Sequence, residues 1–422
     1  MEVFESKIEE LVDLRDGFFE KYPNGTEVER VKTVREKSLL LLEASDVPLS
    51  EFPRSAGRYL QCGRILNACV AYDSRCEEFL SKAVKLADPD ALAWLELGIC
   101  LSKKPDIQFA IECVEQSLEL ERSSRALYTL SMLLRAKMMK TIDPIERSTL
   151  QKCSSQLAFE AVELDPQSGA AHSCLGNSLF LEFFNNGQVN PDLLKQACDE
   201  YQLALQCGKE YRNADLHLNA GAAFRYQENY SEALSHLKQA VKYDPNNVIG
   251  SHGRLTSLRQ FLSSVSLAIQ NAGGLRSKRM AEFKVSLSSC SSSMNPFTGL
   301  STVALFKDLK DGPNTGIVTI GKIVASVSHE DTVPIASVLM DVEGNRLALC
   351  IYNSAPSLSF SVGDTIAIAD PYVIVAKDLN LPDLPGGPFR SIRVPNPSKI
   401  SRNGSIPKST QLAPSHLKIS TL

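Results

Sequence analysis

The chain reads as a multidomain α + β protein, an all-α solenoid of paired helices followed by a small all-β barrel. Three observations predict this. Apolar residues recur at helical spacing, in successive pairs of stripes, from about residue 55 to about 271. Several of those pairs stop at a proline, as at Pro89, Pro166 and Pro245. Beyond them the composition turns from helix formers to Ser, Gly, Val and Ile, with a boundary near residues 281–300.

The clearest pair runs from Asn213 to Pro245. His217, Ala220, Gly221 and Phe224 recur at i, i+3, i+4 and i+7, and Ala233, Leu237 and Ala240 repeat the pattern on a second helix. Gln227-Glu228-Asn229 supplies the turn, and Asp244-Pro245 stops the second helix. This is the pattern of a tetratricopeptide repeat (TPR), a helix–turn–helix unit with a period of about 34 residues. Gly221 and Ala233 are small where the two helices cross. One such hairpin cannot bury both its faces, so neighbours on either side are implied.

In chain order, residues 1–54 are expected to hold capping helices at the end of the stack. Ile8, Leu11, Leu14 and Phe18 mark the first, and Val31, Val34, Leu39 and Leu42 the second; Pro48 and Pro53 follow. The TPR solenoid is assigned to 55–271. Its first repeat ends in Phe79, Leu80, Ala83 and Pro89. The second carries Trp94, Leu97, Gly98 and Leu101, then Ala110 and Val114. The third carries Leu127 and Leu130, then Leu157 and Ala161, with a longer connection expected over Thr141–Glu146. The fourth has Leu175, Gly176 and Leu179, then Ala197, Tyr201 and Ala204, around a polar insert from Asn185 to Asp192. A last helix, roughly His252–Asn271, closes the stack.

Residues 272–300 are read as a basic and Ser-rich linker. Residues 301–395 carry five or six short strands. Gly316–Ser328 is long, with a phase shift at Gly321-Lys322 that suggests a bulge. Ile335–Val342 and Arg346–Tyr352 form a hairpin, Asp370-Pro371 is expected to end the next strand, and Phe389–Val394 is the last. A bulged strand before a hairpin suits a Greek-key barrel of the OB type. Residues 396–422 are read as a basic disordered tail, because Arg390–Leu422 holds six Lys or Arg, no acid, and mostly Pro, Ser and Asn.

The composition excludes several function classes. The chain is 43% apolar and 22% charged, as ordinary globular chains are. A net charge of −4 gives no global field toward nucleic acid or membrane. No apolar run approaches the roughly 18 residues of a membrane span, and no secretory leader is apparent. The 11 cysteines include no C-x-x-C, so they read as reduced core thiols of a cytosolic or nuclear protein. There is no H-E-x-x-H, no G-x-S-x-G and no metal-spaced Cys/His set, so neither an enzyme, a metal nor a cofactor is expected. Gly316-Ile-Val-Thr-Ile-Gly321-Lys322 resembles a phosphate loop until Ile323, where Ser or Thr is required, and it lies in a β-pattern. Phe306, Tyr352, Phe360, Tyr372 and Phe389 fit either bases stacked on an OB face or the barrel's own core and rim.

Binding residues are expected in the groove that the first helices of the repeats line. The offsets from each repeat's small residue give Arg135 in repeat three, Asn177 in four, and Asp215, Asn219 and Arg225 in five. Each alone also fits a solvated or locally paired residue. Together they offer cation, anion and amide to an extended peptide carrying both charges. The Lys/Asn constellation that grips chaperone carboxy termini is not found in the first repeats. Arg276, Lys278 and Arg279 fit either a solvated linker or a patch for a phosphate backbone, as in RNA.

On these residues the chain resembles the tetratricopeptide repeat protein 5 family, a TPR solenoid followed by an OB fold. The stretches that carry the likeness are LSKAVKLADPDALAWLELG, LSMLLR ending in Arg135, LGNSLFLEFFNNGQ, NADLHLNAGAAFRYQENYSEAL, GLRSKRM and GIVTIGKIVASVSHEDTVP. The resemblance implies a role in tubulin autoregulation. The groove would bind the N-terminal Met-Arg-Glu segment of nascent tubulin at the ribosome, and an mRNA-decay adaptor would then act. Some members are also described as stress-responsive cofactors of transcription in the nucleus, so a nuclear TPR/OB scaffold is the alternative. The resemblance puts a glutamate-reading arginine on Arg135, an arginine-reading carboxylate on Asp215 and the ribosome contact on Arg276, Lys278 and Arg279. A second groove acid, expected shortly after the fifth repeat, falls near Ile249 instead.

Overall fold

The computed structural model describes residues 2–43, 55–86, 89–186, 188, 190–271, 274–290, 295–297, 299–300, 302–329, 333–355, 357–377, 379, 387–408 and 411. An N-terminal group comprises α1 (Glu2–Asp16), α2 (Phe18–Lys21) and α3 (Glu27–Glu43). Five helix pairs follow: α4 (Ala56–Asn67) with α5 (Ser74–Leu86), α6 (Ala91–Leu101) with α7 (Gln108–Leu120), α8 (Ser124–Lys140) with α9 (Pro144–Leu164), α10 (Gly169–Asn185) with α11 (Pro191–Gln206), and α12 (Ala214–Tyr226) with α13 (Tyr230–Tyr243). Then come α14 (Ser251–Asn271) and α15 (Ser277–Cys290). The strands are β1 (Thr302–Ala304), β2 (Gly312–Pro313), β3 (Ile317–Val327), β4 (Ile335–Met340), β5 (Arg346–Ile351), β6 (Thr365–Ala369), β7 (Tyr372–Ala376), β8 (Phe389–Val394) and β9 (Ile400–Arg402).

The small residues read from the sequence set the approach within each pair. A Cβ on Gly176 would lie 2.8 Å from the Tyr201 ring, and one on Gly221 would lie 2.9 Å from Leu237 Cγ. Only hydrogen fits there, so α10 nests on α11 and α12 on α13. The helix starts are capped by side-chain oxygens: Asp90, Ser123, Asp143, Ser168, Asn190, Asn213 and Asn229 each accept a backbone N–H of the turn that follows. The third repeat departs from expectation. Its connection is Thr141–Asp143 alone, because Asp143 caps and Pro144 opens α9 three residues early.

The barrel is an OB fold. β3 pairs antiparallel with β4 and with β6, β4 pairs antiparallel with β5, and β5 runs parallel to β8. The strand expected to end at Asp370-Pro371 does so: β6 stops at Ala369. Asp370 takes a φ of 48°, the chain bends, and β7 continues to pair antiparallel with β8. β6 and β7, joined by that bend, thus link β3 on one side to β8 on the other and close the barrel. The bulge lies between Ile323 and Ala325, just beyond Gly321-Lys322. Ile323, Leu339, Leu349, Ile366, Ile368 and Ile392 fill the interior.

Two further stretches correct the sequence reading. Within the expected linker, Ser277–Cys290 is helical, with Leu287 buried and Lys284 Nζ donating to the Glu343 carbonyl at 2.7 Å. A packing surface on the barrel orders what composition alone leaves open. Within the expected disordered tail, Ile400–Arg402 pairs antiparallel with β6, and Ile400 is fully buried. The rest of the expected tail beyond residue 411 lies outside the described residues, as do Pro48 and Pro53.

The expected capping helices do more than cover an end. Leu11 of α1 packs with Ile8 against Ile65 and Ala68 of repeat one. Asp13 and Glu20 reach Arg212 before α12, at 3.1 and 2.9 Å. The N-terminal helices thus touch repeats one and five together.

Solenoid and barrel share one apolar cluster. Leu258, Phe261, Leu262 and Val265 of α14 join Val338, Met340, Ala348 and Cys350, the outward residues of β4 and β5. Into this joint the turn of repeat five inserts Glu228, 2% exposed. Its carboxylate accepts from Ser391 Oγ at 3.0 Å and from Arg393 at 3.3 Å, and the Arg393 guanidinium stacks on Tyr352 at 4.2 Å. Burial raises the Glu228 carboxyl above its usual range, while Arg393, Tyr352, Ser391 and Tyr230 act to lower it. Glu228 also holds a φ of 60°, a left-handed conformation that glycine adopts more easily.

These two properties separate by mutation. Glu228→Ala leaves Arg393 buried without its carboxylate, at an expected cost of about 3–5 kcal/mol. Glu228→Gly is expected to be about 1 kcal/mol less harmful, because it relieves the backbone. Adding Arg393→Met to Glu228→Ala should recover part of the loss. Urea unfolding midpoints decide this, and no recovery in the double variant would show that the pair does not hold the joint.

Candidate binding groove

The first helices of the pairs carry few charges, and each sits in an apolar run. Glu96 interrupts the stretch ALAWLELGICL, and Arg135 follows Met132-Leu133-Leu134. Both are buried, at 3% and 2% exposure. They differ in what surrounds them.

Glu96 is balanced. It accepts from Asn67 Nδ2 at 2.7 Å and from Arg125 at 2.8 Å, and Arg64 Nε lies 3.5 Å away. Arg64 in turn meets Glu5 of α1 at 2.9 Å. Lys103 beside this group donates to the Asn67 carbonyl, Asn67 Oδ1 and the Cys69 carbonyl, all within 2.8 Å. Burial lowers the Lys103 ammonium, with the nearby Cys76, Cys100 and Cys69 acting to raise it. A lysine and an asparagine therefore do meet in the first repeats, but both are engaged internally. The sequence reading missed this network, although the lone Glu96 in an apolar helix is the same signal that drew attention to Arg135.

Arg135 has no such balance. Its guanidinium contacts Ser178 Oγ at 3.3 Å and Cys174 Sγ at 3.7 Å, both neutral groups on α10. Its Nε is buried with no hydrogen-bond partner, and it forms no ion pair among the described residues. The sequence places this side chain facing an open groove; the structure folds it down between α8 and α10. A buried cation held only by neutral dipoles is electrostatically incomplete, so an incoming carboxylate would gain more here than on a solvated surface.

Next to Ser178, Asn177 Oδ1 accepts from Tyr201 Oη at 2.8 Å and from Asn219 Nδ2 at 3.0 Å. The two amides tie α10 to α12, and Asp215 lies one turn before Asn219 on that same helix. Asp215 is half-buried. It does not cap α12, because Asn213 does so by accepting from Leu216 N at 3.1 Å. A cation on α8 thus contacts the residue next to Asn177 on α10, the Asn177–Asn219 contact ties α10 to α12, and an anion lies one turn before Asn219 at the start of α12. Of the four residues that the sequence reading grouped, Asn177 and Asn219 are in direct contact.

Arg225 does not join them. It sits ten positions beyond Asp215, roughly 15 Å along the helix, and its guanidinium lies 5.9 Å from the Phe261 ring on α14. It belongs to the solenoid–barrel joint. Ile249 packs half-buried on the core, and nearby Asp244 accepts from Val248 N at 2.6 Å, Ile249 N at 3.3 Å and Ser251 Oγ at 2.8 Å. The second groove acid is not replaced at that position.

Arg276 precedes α15, and Lys278 and Arg279 occupy its first turn; all three are exposed. Cations there oppose the helix dipole by about 0.3–1 kcal/mol each, so helix stability does not explain them. They are carried on a helix docked to the barrel rather than on a linker.

The OB face of β3, β4 and β5 lies under α14, and Tyr352 and Phe389 are buried in that joint. Phe306 is interior, and Tyr372 is 45% exposed. The aromatics thus follow the core-and-rim reading. No group of three or more metal-ligating side chains occurs among the described residues, and no helix among them is long and apolar enough to cross a membrane.

Comparison with known proteins agrees with this architecture. A family model for the tetratricopeptide repeat protein 5 OB fold domain matches residues 301–416, and one for a tetratricopeptide repeat matches 214–247. Tetratricopeptide repeat protein 5 of Homo sapiens is 30% identical over 418 residues, covering 94% of this chain and 92% of that protein. The protein of the same name from Bos taurus is 29% identical over 418 residues, with the same coverage of 94% and 92%. A solved structure of the APC/C hetero-tetramer Cut9–Hcn1 aligns at 18% identity and a TM-score of 0.44, covering 63% of this chain and 48% of that one, which is too distant to bear on function.

Proposed function

This chain belongs to the tetratricopeptide repeat protein 5 family, and from that premise we propose that it reads the N-terminal Met-Arg-Glu segment of nascent tubulin at the ribosome. It is a TPR-type protein-binding adaptor. In this reading it performs no catalysis and works in the cytoplasm, and a bound ribosome is handed to an mRNA-decay adaptor.

The observation that carries the reading is Arg135, buried and without a counter-charge among the described residues. The peptide glutamate supplies that charge. The amides of Asn177 and Asn219 lie along the path to Asp215, which meets the peptide arginine. Neighbouring side chains of an extended peptide point to opposite sides, which suits a cation and an anion set on different helices. The exposed cations Arg276, Lys278 and Arg279 favour a phosphate backbone, such as ribosomal RNA, as a second contact. The alternative, a nuclear scaffold for transcription cofactors whose OB domain touches DNA, loses support because the β3–β5 face is covered by α14.

Titration with a Met-Arg-Glu-Ile peptide tests the groove. Arg135→Ala is expected to cost about 1.5–3 kcal/mol of binding with helicity unchanged; unchanged affinity would remove Arg135 from the site. Asp215→Ala is expected to weaken the wild-type peptide and barely affect one whose arginine is alanine. A double-mutant cycle with zero coupling would place Asp215 elsewhere. Reversing Lys278 and Arg279 to Glu should leave peptide affinity intact and lower co-sedimentation with tubulin-translating ribosomes, while wild-type association weakens as salt rises. Normal co-sedimentation of the reversed protein at physiological salt would sink the ribosome contact.

A further inference from the structure

The N-terminal helices meet the solenoid through two chemically different faces. Toward repeat one the contact has an apolar core, Leu11 fully buried with Ile65 and with Ala68 5% exposed beside them, flanked by the Arg64–Glu5 ion pair and by Arg15 donating to the Ala68 carbonyl at 3.2 Å. Two residues beyond Leu11, about 200° round the helix, Asp13 points the other way. It pairs with Lys209 and lies 3.1 Å from Arg212. Glu20 lies 2.9 Å from Arg212 and 3.7 Å from Lys242, and accepts from Tyr243 Oη at 2.7 Å. The Glu27 amide donates to Asn246 Oδ1 at 2.5 Å. The contact with repeat five is therefore built from charges and hydroxyls.

That contact is also wet. The Asp13, Lys209 and Lys242 side chains at its rim are 45%, 59% and 50% exposed, while Arg212 and Glu20 between them are 18% and 29% exposed. An open cavity of about 500 Å³ lies between the helices and Arg212, lined by Glu10, Asp13, Glu20 and Lys21 among others. Half-exposed ion pairs contribute at most about 1 kcal/mol each and weaken as salt screens them. None of the α1–α2 residues enters the apolar cluster that holds repeats four and five to the barrel.

We infer that the α1–α2 segment is a releasable clasp: it is anchored on repeat one by apolar packing, closed on repeat five by ion pairs, and its opening admits a peptide to the Asp215 end of the groove. Arg212, which the clasp grips, stands three residues before Asp215. Clasp and ligand therefore share one mouth, and the first must yield for the second to enter. The admission of peptide rests on the groove reading above, whereas the opening does not.

Amide hydrogen exchange on the full chain tests the opening directly. In Asp13→Lys/Glu20→Lys, exchange at residues 209–213 and 242–247 is expected to rise roughly tenfold while α6 and α7 stay protected. Wild type should move the same way as salt is raised. Adding Lys209→Glu and Arg212→Glu to the reversed protein should restore protection, which separates a lost contact from a lost fold. Equal exchange in wild type and the reversed protein at every salt concentration, or failure of the swap to restore it, would overturn the clasp. Met-Arg-Glu-Ile association is then timed by stopped flow. A faster on-rate in the opened variant supports the gate. An unchanged on-rate with opening observed overturns the gate and leaves the groove reading standing. A peptide that binds no form overturns the groove reading and the admission step, while the exchange result still decides whether the clasp opens.

Discussion

The carboxylate of Glu228 within the solenoid–barrel joint is the contact on which the rest of the arrangement depends. It is buried, it leaves a helical turn at a φ of 60°, and it meets Ser391 and Arg393 across more than 160 residues of chain. Apolar packing alone tolerates many docking angles. A carboxylate inside a dry interface does not, since leaving either charge unpaired is costly. The pair thus acts as a register pin, while α14 against β3, β4 and β5 supplies the area. Once that docking is set, α15 is set too, because Lys284 and Leu287 hold it to the barrel. The basic group at the start of α15 then stands in a fixed relation to the groove.

The groove itself is organised by contrast between charges that are balanced and one that is not. Glu96 draws Asn67, Arg64 and Arg125 around it and stiffens repeats one to three. Arg135 sits among neutral dipoles. Two buried charges on equivalent helices thus have different consequences, and the difference lies in their neighbours.

Much of this was legible in the sequence, for reasons that can be named. Gly176 and Gly221 are visible because a helix crossing demands a missing Cβ, and that demand does not depend on distant partners. Repeats convert position into a face, which is why Arg135, Asn177, Asp215 and Asn219 could be grouped, but not into the depth at which Arg135, Asn177 and Asn219 are buried. The misses share an opposite property. Arg225 and Glu228 look like solvated residues near a turn, yet both face the joint with the barrel and α14, which lies far along the chain. Residues 277–290 look like a linker by composition, and only the barrel surface makes them helical. Asp370-Pro371 does end β6, but the strand just beyond it, β7, is invisible in the sequence because only its pairing with the distant β8 to close the barrel orders it. A usable signal was overlooked: β4 and β5 are apolar at nearly every position, which marks strands buried on both faces.

The two ends of the solenoid are closed by chemically opposite means, and the difference decides which can move. At the barrel end the Glu228–Arg393 pair is dry, surrounded by Tyr352, Tyr230 and Cys350, and continuous with the main apolar cluster. At the N-terminal end several ion pairs, half-exposed at Asp13, Lys209 and Lys242, surround an open cavity, and the apolar anchor joins α1 to α3 and repeat one. Counting charges would rank the N-terminal contact as the stronger. Burial reverses the ranking, because water already solvates those charges when they separate and salt screens them when they meet. Thermal motion therefore finds its cheapest large displacement at α1 and α2. On the clasp proposal, the Asn177–Asn219 contact holds α12 to α10 while the wall formed by α1 and α2 shifts.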